Sequence, residues 1–194
     1  MAITIEKIGG VKNKLGECPV WDVAEKALYW IDGGAPAIYR LDPKTNDIKS
    51  RKTPKPIGSF ALREKGGAVL ALSDGFYLFD FESGEAQQIG EPAAKPGTTF
   101  NDGKTDARGR FIAGTLDSKF AQPIGSIFSL DESLKCTTLE PAIGCTNGPC
   151  FSPNNRTFYC ADSVSRTISA YDYWPHRSSK RMREVLLRHV RLRC

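Results

Sequence analysis

Residues 27–32 read Ala-Leu-Tyr-Trp-Ile-Asp, a short run of strand-forming side chains that ends in an acidic residue. Comparable runs recur at residues 68–74, 110–115 and 157–162, each after a turn-forming segment. The equivalent positions Leu28, Val69, Phe111 and Phe158 are separated by 41, 42 and 47 residues. The chain is therefore a series of similar units, each of which begins with a short strand.

A second strand-like run follows the first in every unit. These runs cover residues 37–42, 75–80, 126–131 and 167–172, and their apolar residues alternate with a period of two. Helical periodicity is absent before residue 174. Short strands at this spacing predict an all-β fold of the β-propeller type, with about three and a half blades in residues 1–173. A β-sandwich with irregular turns is the alternative.

The charge of the chain is concentrated near its carboxyl end. The net charge is +5, but residues 174–194 carry seven Lys and Arg against one Glu, and residues 1–173 sum to −1. Both histidines, His176 and His189, lie in that basic segment. A body without histidine cannot contain a Ser-His-Asp triad, a Cys-His pair or an HExxH zinc site. Chemistry in residues 1–173 must use carboxylates, amides, hydroxyls, lysine or a metal bound by oxygen.

The cysteines and the amino terminus bear on the cellular compartment. Six cysteines are spread through the chain without a CxxC motif. Residues 1–7 lack the apolar run of a signal peptide, and no apolar run approaches the roughly 18–20 residues that span a bilayer. We therefore expect reduced thiols, a cytoplasmic location and no membrane span.

Three motifs contain the side chains that could bind a ligand or take part in catalysis. They read Leu-Gly-Glu-Cys-Pro-Val-Trp at residues 15–21, Thr-Thr-Phe-Asn-Asp-Gly-Lys-Thr-Asp at 98–106, and Cys-Thr-Asn-Gly-Pro-Cys-Phe-Ser-Pro at 145–153. Each precedes a strand at the same phase of the repeat, so Glu17, Asn101 and Asn147 are expected to converge at one mouth of the central channel. Carboxylate and amide oxygens suit Ca²⁺, Mg²⁺ or Mn²⁺. The alternative interpretation makes these residues ordinary turn formers.

Taken together, the three motifs resemble the regucalcin, senescence marker protein and gluconolactonase family. The resemblance runs from about Gly16 to Tyr173, through Gly-Glu-x-Pro-x-Trp at residues 16–21, Phe-Asn-Asp-Gly-Lys at 100–104, and Asn-Gly at 147–148 followed by Ser-Pro-Asn. It implies a six-bladed β-propeller that hydrolyses sugar lactones, an attack on a carboxylic ester bond. It also implies one divalent cation, Ca²⁺, Zn²⁺, Mg²⁺ or Mn²⁺, at the channel mouth.

The resemblance also implies roles for individual residues. Glu17 and Asn147 match metal ligands, and Asn101 matches a substrate-binding asparagine. Thr99 and Lys119 occupy positions where relatives have a substrate-binding arginine and glutamate. The third metal ligand of the family, an aspartate that also serves as acid and base, has no counterpart in this chain. The catalytic residue is therefore unknown, and we expect impaired hydrolysis of a small sugar lactone.

Residues 174–194 form a separate, non-homologous basic tail in this interpretation, after an incomplete propeller of residues 1–173. A frameshift or truncated reading frame, a basic amphipathic helix and an alternative splice product remain open. Nucleic-acid binding is expected only if the tail provides it. A non-catalytic, calcium-binding or partner-binding propeller fragment is the alternative to a lactonase.

Overall fold

The computed structural model describes residues 3–90, 95–173 and 183–185, the last three by their backbone alone. Regular structure in these residues consists of four antiparallel sheets of four strands each, which confirms the all-β prediction. The first two sheets contain β1 (Gly16–Asp22), β2 (Ala27–Asp32), β3 (Ala37–Asp42), β4 (Asp47–Lys52), β5 (Ile57–Leu62), β6 (Ala68–Leu72), β7 (Gly75–Phe79) and β8 (Ala86–Ile89). The other two contain β9 (Thr98–Thr105), β10 (Phe111–Asp117), β11 (Gly125–Leu130), β12 (Cys136–Ile143), β13 (Thr146–Phe151), β14 (Thr157–Asp162), β15 (Thr167–Asp172) and β16 (Arg183–Val185).

Each sheet is a simple meander in which consecutive strands pair. The two strands predicted for every unit are the second and third strands of its sheet, and the first and fourth were missed. First strands contain Gly, Pro and Asn, which are poor strand formers. Fourth strands such as β4 are mostly exposed and polar, so the apolar alternation that marks a strand is weak there.

The fourth sheet is complete because β16 pairs with β15, in a register that runs from Ala170↔Val185 to Asp172↔Arg183. The described residues therefore form four sheets, of which three complete sheets and three strands of the fourth lie within residues 3–173, close to the predicted three and a half blades. A basic amphipathic helix, one of the three alternatives left open for the tail, would include Val185, which lies in β16. The rest of the 174–194 segment, and with it the other interpretations of the tail, lies outside the described residues.

Packing between successive sheets builds the hydrophobic core. The first strands of the sheets are neighbours, with β5 between β1 and β9 and β9 against β13. One apolar cluster fills each of the three junctions, and aromatic side chains such as Phe79, Phe128 and Phe158 are almost fully buried in them. Aromatic burial of this kind dominates core energetics. The first strands thus line a common axis, and the sheets radiate from it as blades.

A buried polar group joins the third and fourth sheets. The carboxylate of Asp106, in the β9–β10 turn, accepts hydrogen bonds from the Tyr173 hydroxyl and from Arg110 Nε at 2.7 Å. Burial acts to raise the pKa of Asp106, but these donors outweigh it and hold the pKa below its ordinary value. Within the described residues no helix has the length and apolar character needed to cross a membrane.

Candidate metal and substrate site

The three sequence motifs lie within the first strands of their sheets, where the strands bulge. The pairing of β1 with β2 shifts between Glu17 and Val20, and that of β13 with β14 shifts between Asn147 and Cys150. The motif of residues 98–106 lies in β9, where two residues, Asn101 and Asp102, stand opposite one residue of β10. The sequence predicts these motifs just ahead of a strand, and the structure corrects that prediction by placing them within a strand. A bulge redirects side chains while the strand keeps its place in the sheet.

The bulges of the first and fourth sheets have the same local structure. In each, the candidate ligand is followed by a residue with positive φ and then by proline. The φ angles are 51° at Cys18 and 54° at Gly148. The proline has no N–H to leave unpaired at a position where the ladder is interrupted. Glu17 and Asn147 are therefore the last paired residues before two bulges of the same conformation.

An aspartate at the end of the second strand holds the entry to each of these two first strands. Asp32 accepts hydrogen bonds from the backbone N–H groups of Lys14 and Leu15, at 2.9 and 2.8 Å, just ahead of β1. Asp162 does the same for the two residues ahead of β13, at 3.1 and 2.9 Å. These hydrogen bonds fix the start of both first strands, and with it both candidate ligands, to the neighbouring second strands.

The side chains of Asn147 and Asn101 meet directly. Asn147 Nδ2 donates to Ser163 Oγ at 2.8 Å, so its Oδ1 faces Asn101, whose Nδ2 donates to it at 3.2 Å. Asn101 Nδ2 also donates to the backbone oxygen of Thr146 at 2.8 Å. Both side chains are half-buried. The amide of Asn101 is thereby fixed, and its Oδ1 has no hydrogen-bond partner among the described residues.

The groups around its carboxylate place Glu17 in the same region as Asn101 and Asn147. It is half-buried, and its carboxylate lies against Gly33, where an added Cβ would come within 2.3 Å of Oε1. Burial raises the pKa of Glu17, and the negative charges of Asp102 and Asp32 raise it further. A carboxylate beside two others is an electrostatic cost that a cation would relieve.

A cavity of about 370 Å³ adjoins these bulges on the axis between the first strands. Residues of all four first strands line it, among them Cys18, Phe60, Asp102 and Pro149. The lining is shared by every sheet, as expected of a central channel. The lining residues follow the candidate ligands along their strands, and Glu17, Asn101 and Asn147 themselves do not line this cavity.

The two predicted specificity positions fall in different places. Thr99 lies in β9, two residues before Asn101, and is half-buried. Lys119 is exposed in the loop after β10, and its backbone N–H donates to Asp117 at 3.0 Å. Thr99 is thus on the site's own strand, whereas no contact within the described residues joins Lys119 to the asparagines. Their role in substrate binding stays a prediction.

The donor set fits an oxygen-seeking divalent cation as a partial set of ligands. Glu17 supplies a carboxylate and Asn147 an amide oxygen, which are hard ligands of the kind that Ca²⁺, Mg²⁺ and Mn²⁺ prefer. Among the described residues no cluster of three or more His, Cys, Asp or Glu could hold a metal ion.

Sequence reasoning overlooked residues that support the site. Asp102 was read only as part of a turn, yet it accepts hydrogen bonds from Gly148 N at 2.8 Å and from the Cys18 thiol at 3.2 Å. Ser163 orients Asn147. The signal for Asp102 was its place beside Asn101 in the motif of residues 98–106. The five described cysteines are free thiols, as expected.

Comparison with known proteins agrees with the fold. The model of the SMP-30/Gluconolactonase/LRE-like region matches residues 15–190, a range that continues past Tyr173 into the basic segment. A 6-deoxy-6-sulfogluconolactonase from Pseudomonas putida is 35% identical over 158 residues, which cover 81% of this chain and 54% of the relative. The regucalcin of Xenopus laevis is 34% identical over 178 residues, which cover 89% of this chain and 60% of the relative.

Solved structures give the same result. The regucalcin of Agrobacterium tumefaciens, described as a calcium-binding protein, superposes with a TM-score of 0.78 and 25% identity, covering 84% of this chain and 56% of that one. A luciferin-regenerating enzyme gives a TM-score of 0.79 at 24% identity, covering 89% and 59%. The chain thus spans between about half and three-fifths of the length of these proteins, and its four sheets correspond to part of a six-bladed β-propeller. The chain belongs to the SMP-30/gluconolactonase/LRE-like family.

Proposed function

We propose that this chain forms the metal- and substrate-binding part of a divalent-cation-dependent sugar lactone hydrolase. The observation that carries the proposal is the contact between Asn101 Nδ2 and Asn147 Oδ1 at 3.2 Å. It joins the residue implied to bind substrate to a residue implied to bind the cation. Relatives named as lactonases, among them a pentonolactonase of Haloferax volcanii at 30% identity, support a lactone as substrate.

Each residue has a distinct task in this proposal. Glu17 and Asn147 would hold the cation through their side-chain oxygens. Asn101, whose Nδ2 is already engaged, would accept a hydrogen bond from a sugar hydroxyl through Oδ1 and so orient the ring. When bound, a divalent cation polarises the lactone carbonyl and lowers the pKa of a bound water.

The proton-transfer group is unassigned in the described residues. Both carboxylate oxygens of Asp102 already accept hydrogen bonds, from Gly148 N on one side and from Gly103 N and the Cys18 thiol on the other. The fixed position of Asp102 makes it a poor general base. We therefore expect slow hydrolysis by this chain, since a positioned acid or base typically contributes about 10²–10⁴-fold.

The test is the initial rate of glucono-1,5-lactone hydrolysis in a pH-stat, corrected for spontaneous hydrolysis, with Ca²⁺, Mg²⁺, Mn²⁺ or Zn²⁺ and with chelator. We expect a slow cation-dependent rate that Glu17→Gln or Asn147→Ala lowers by about tenfold or more, because each removes a direct ligand. Glu25→Gln and Asn154→Ala are matched controls in exposed turns at the far ends of the same two sheets, and should stay within about twofold.

Two results would contradict the lactonase proposal. A rate that survives chelation would remove the cation from the reaction. Cation binding without acceleration of any sugar lactone would instead favour a non-catalytic, calcium-binding propeller.

A further inference from the structure

Asp102 contacts three sheets at once. It lies in β9 of the third sheet, directly after Asn101, and is half-buried. Its Oδ2 accepts a hydrogen bond from Gly148 N of the fourth sheet at 2.8 Å. Its Oδ1 accepts from its neighbour Gly103 N at 2.8 Å and from Cys18 Sγ of the first sheet at 3.2 Å.

The two distant partners of Asp102 occupy equivalent positions. Cys18 follows Glu17, and Gly148 follows Asn147. Both have positive φ, 51° and 54°, and both lie in the bulges that interrupt β1 and β13. One carboxylate therefore holds the residue after each candidate ligand, at the first residue of each bulge.

We propose that Asp102 is a positioning residue that fixes the separation of Glu17 and Asn147 and so preorganises the cation site. The inference deepens the proposed function and rests on it. Asp102 acts through the two bulges, because its hydrogen bonds from other strands come from Gly148 N and the Cys18 thiol, the residues that follow the two candidate ligands. Outer groups of this kind commonly change metal affinity by about 10–100-fold when they are lost.

The role requires an aspartate. An ionised carboxylate only accepts hydrogen bonds, and here it receives two backbone N–H groups and a thiol. In Asp102→Asn one oxygen becomes an NH₂ donor that faces either Gly148 N or the other two donors. At least one of these hydrogen bonds must then be lost, although the size and shape of the side chain are almost unchanged.

The test compares Asp102→Asn with Asp131→Asn. Asp131 also accepts three hydrogen bonds, from Ser133 N, Ser133 Oγ and Lys135 N, but all of them come from its own turn. Two quantities are measured: backbone amide exchange at Gly148 in chelator, and the Kd for Ca²⁺ and Mn²⁺ by calorimetry. Exchange does not depend on a bound cation or on catalysis.

We expect Asp102→Asn to speed exchange at Gly148 and to weaken cation binding, each by about tenfold or more, and Asp131→Asn to change neither by more than about twofold. If Asp102→Asn is poorly folded, Cys18→Ala replaces it, with Cys18→Ser as the variant that keeps a donor. Cys18→Ala should then weaken binding by about threefold relative to Cys18→Ser.

The two readouts separate this inference from the proposed function. Unchanged Gly148 exchange and unchanged Kd in Asp102→Asn would overturn the positioning role. Absence of cation binding by the unmutated chain would overturn the proposed metal site, and the exchange data would still decide whether Asp102 holds the bulge.

Discussion

The first and fourth sheets present a candidate ligand in the same way, and the second sheet does not. In the first and fourth, a strand-end aspartate holds the entry to the first strand, and a residue with positive φ follows the ligand. In the second sheet the equivalent bulge is at Gly58, between Ile57 and Ser59, and no acidic or amide side chain occupies it. The same repeat unit thus carries a candidate ligand at its bulge in the first and fourth sheets and none in the second.

The bulge of the second sheet serves packing. A Cβ on Gly58 would come within 2.5 Å of the backbone oxygen of Phe100 and 2.6 Å of that of Asn101. Ser59 Oγ donates to the backbone oxygen of Asn101 at 2.7 Å, and Cys18 Sγ lies 3.5 Å from the backbone oxygen of Gly58. The second sheet therefore sets how closely β9, which carries Asn101, approaches the axis. The candidate ligands thus lie in the first and fourth sheets, whereas the second sheet provides packing against β9.

Gly58→Ala should give the largest loss of stability. The new methyl group meets backbone atoms that cannot rotate away, so β9 must shift, and overpacking costs about 3 kcal/mol in such positions. Urea denaturation measures the loss. Gly10→Ala is the control, because its Cβ would meet nothing within 4 Å. A loss below about 1 kcal/mol would show that β5 and β9 do not depend on this close approach.

The sequence was sufficient for the fold because the second and third strands are strongly patterned. Strands such as β6, with every residue of Ala68–Leu72 buried, need only short apolar runs bounded by turns to be recognised. The fourth strands lacked such a signal, and β16 lies within the basic segment whose composition suggested a different structure. Pairing with β15 is a tertiary interaction that local composition does not report.

For the site, the sequence predicted which motifs converge but not how they are held. Equal phase in the repeat was enough to bring Asn101 and Asn147 together, and the structure joins them by a hydrogen bond. The role of Asp102 depends on partners 84 and 46 residues away, Cys18 and Gly148. Contacts of this range follow from the curvature of the ring, which a single sequence does not contain.

The next largest effect should come from the strand-end aspartates. Asp32 accepts four hydrogen bonds, and Asp32→Asn places a donor against backbone N–H groups, so we expect a loss of about 2 kcal/mol, with a similar loss for Asp162→Asn. Asp74→Asn is the control in the second sheet, where Asp74 pairs with Lys55 and accepts from the Tyr77 hydroxyl at the surface but receives no backbone N–H from a first strand, and it should cost less than about 1 kcal/mol. Equal losses at all three positions would remove the distinction between the sheets.

The pH dependence of this loss gives a second check. Burial acts to raise the pKa of Asp32, but the backbone N–H groups of Leu15, Lys14 and Gly34 outweigh it, so its pKa lies below the ordinary value. A lowered folded-state pKa contributes stability above the unfolded-state pKa of about 4, and that stability is lost as the pH falls through the folded value. The unmutated chain and Asp32→Asn should therefore differ most near neutral pH and converge in acid. A difference that grows in acid would contradict the assignment.

Gly148→Ala should have the smallest effect, and it tests what the glycine contributes. A Cβ on Gly148 would meet nothing within 4 Å, so the only cost is the positive φ of 54°, about 1 kcal/mol by denaturation. Cys18 shows that a side chain is tolerated in the same conformation at the equivalent bulge. Since the backbone N–H that Asp102 accepts is kept, cation affinity should change by less than about threefold. A large loss of affinity with little loss of stability would mean that Gly148 itself leaves room for the ligand, and that the two bulges are alike in conformation but not in function.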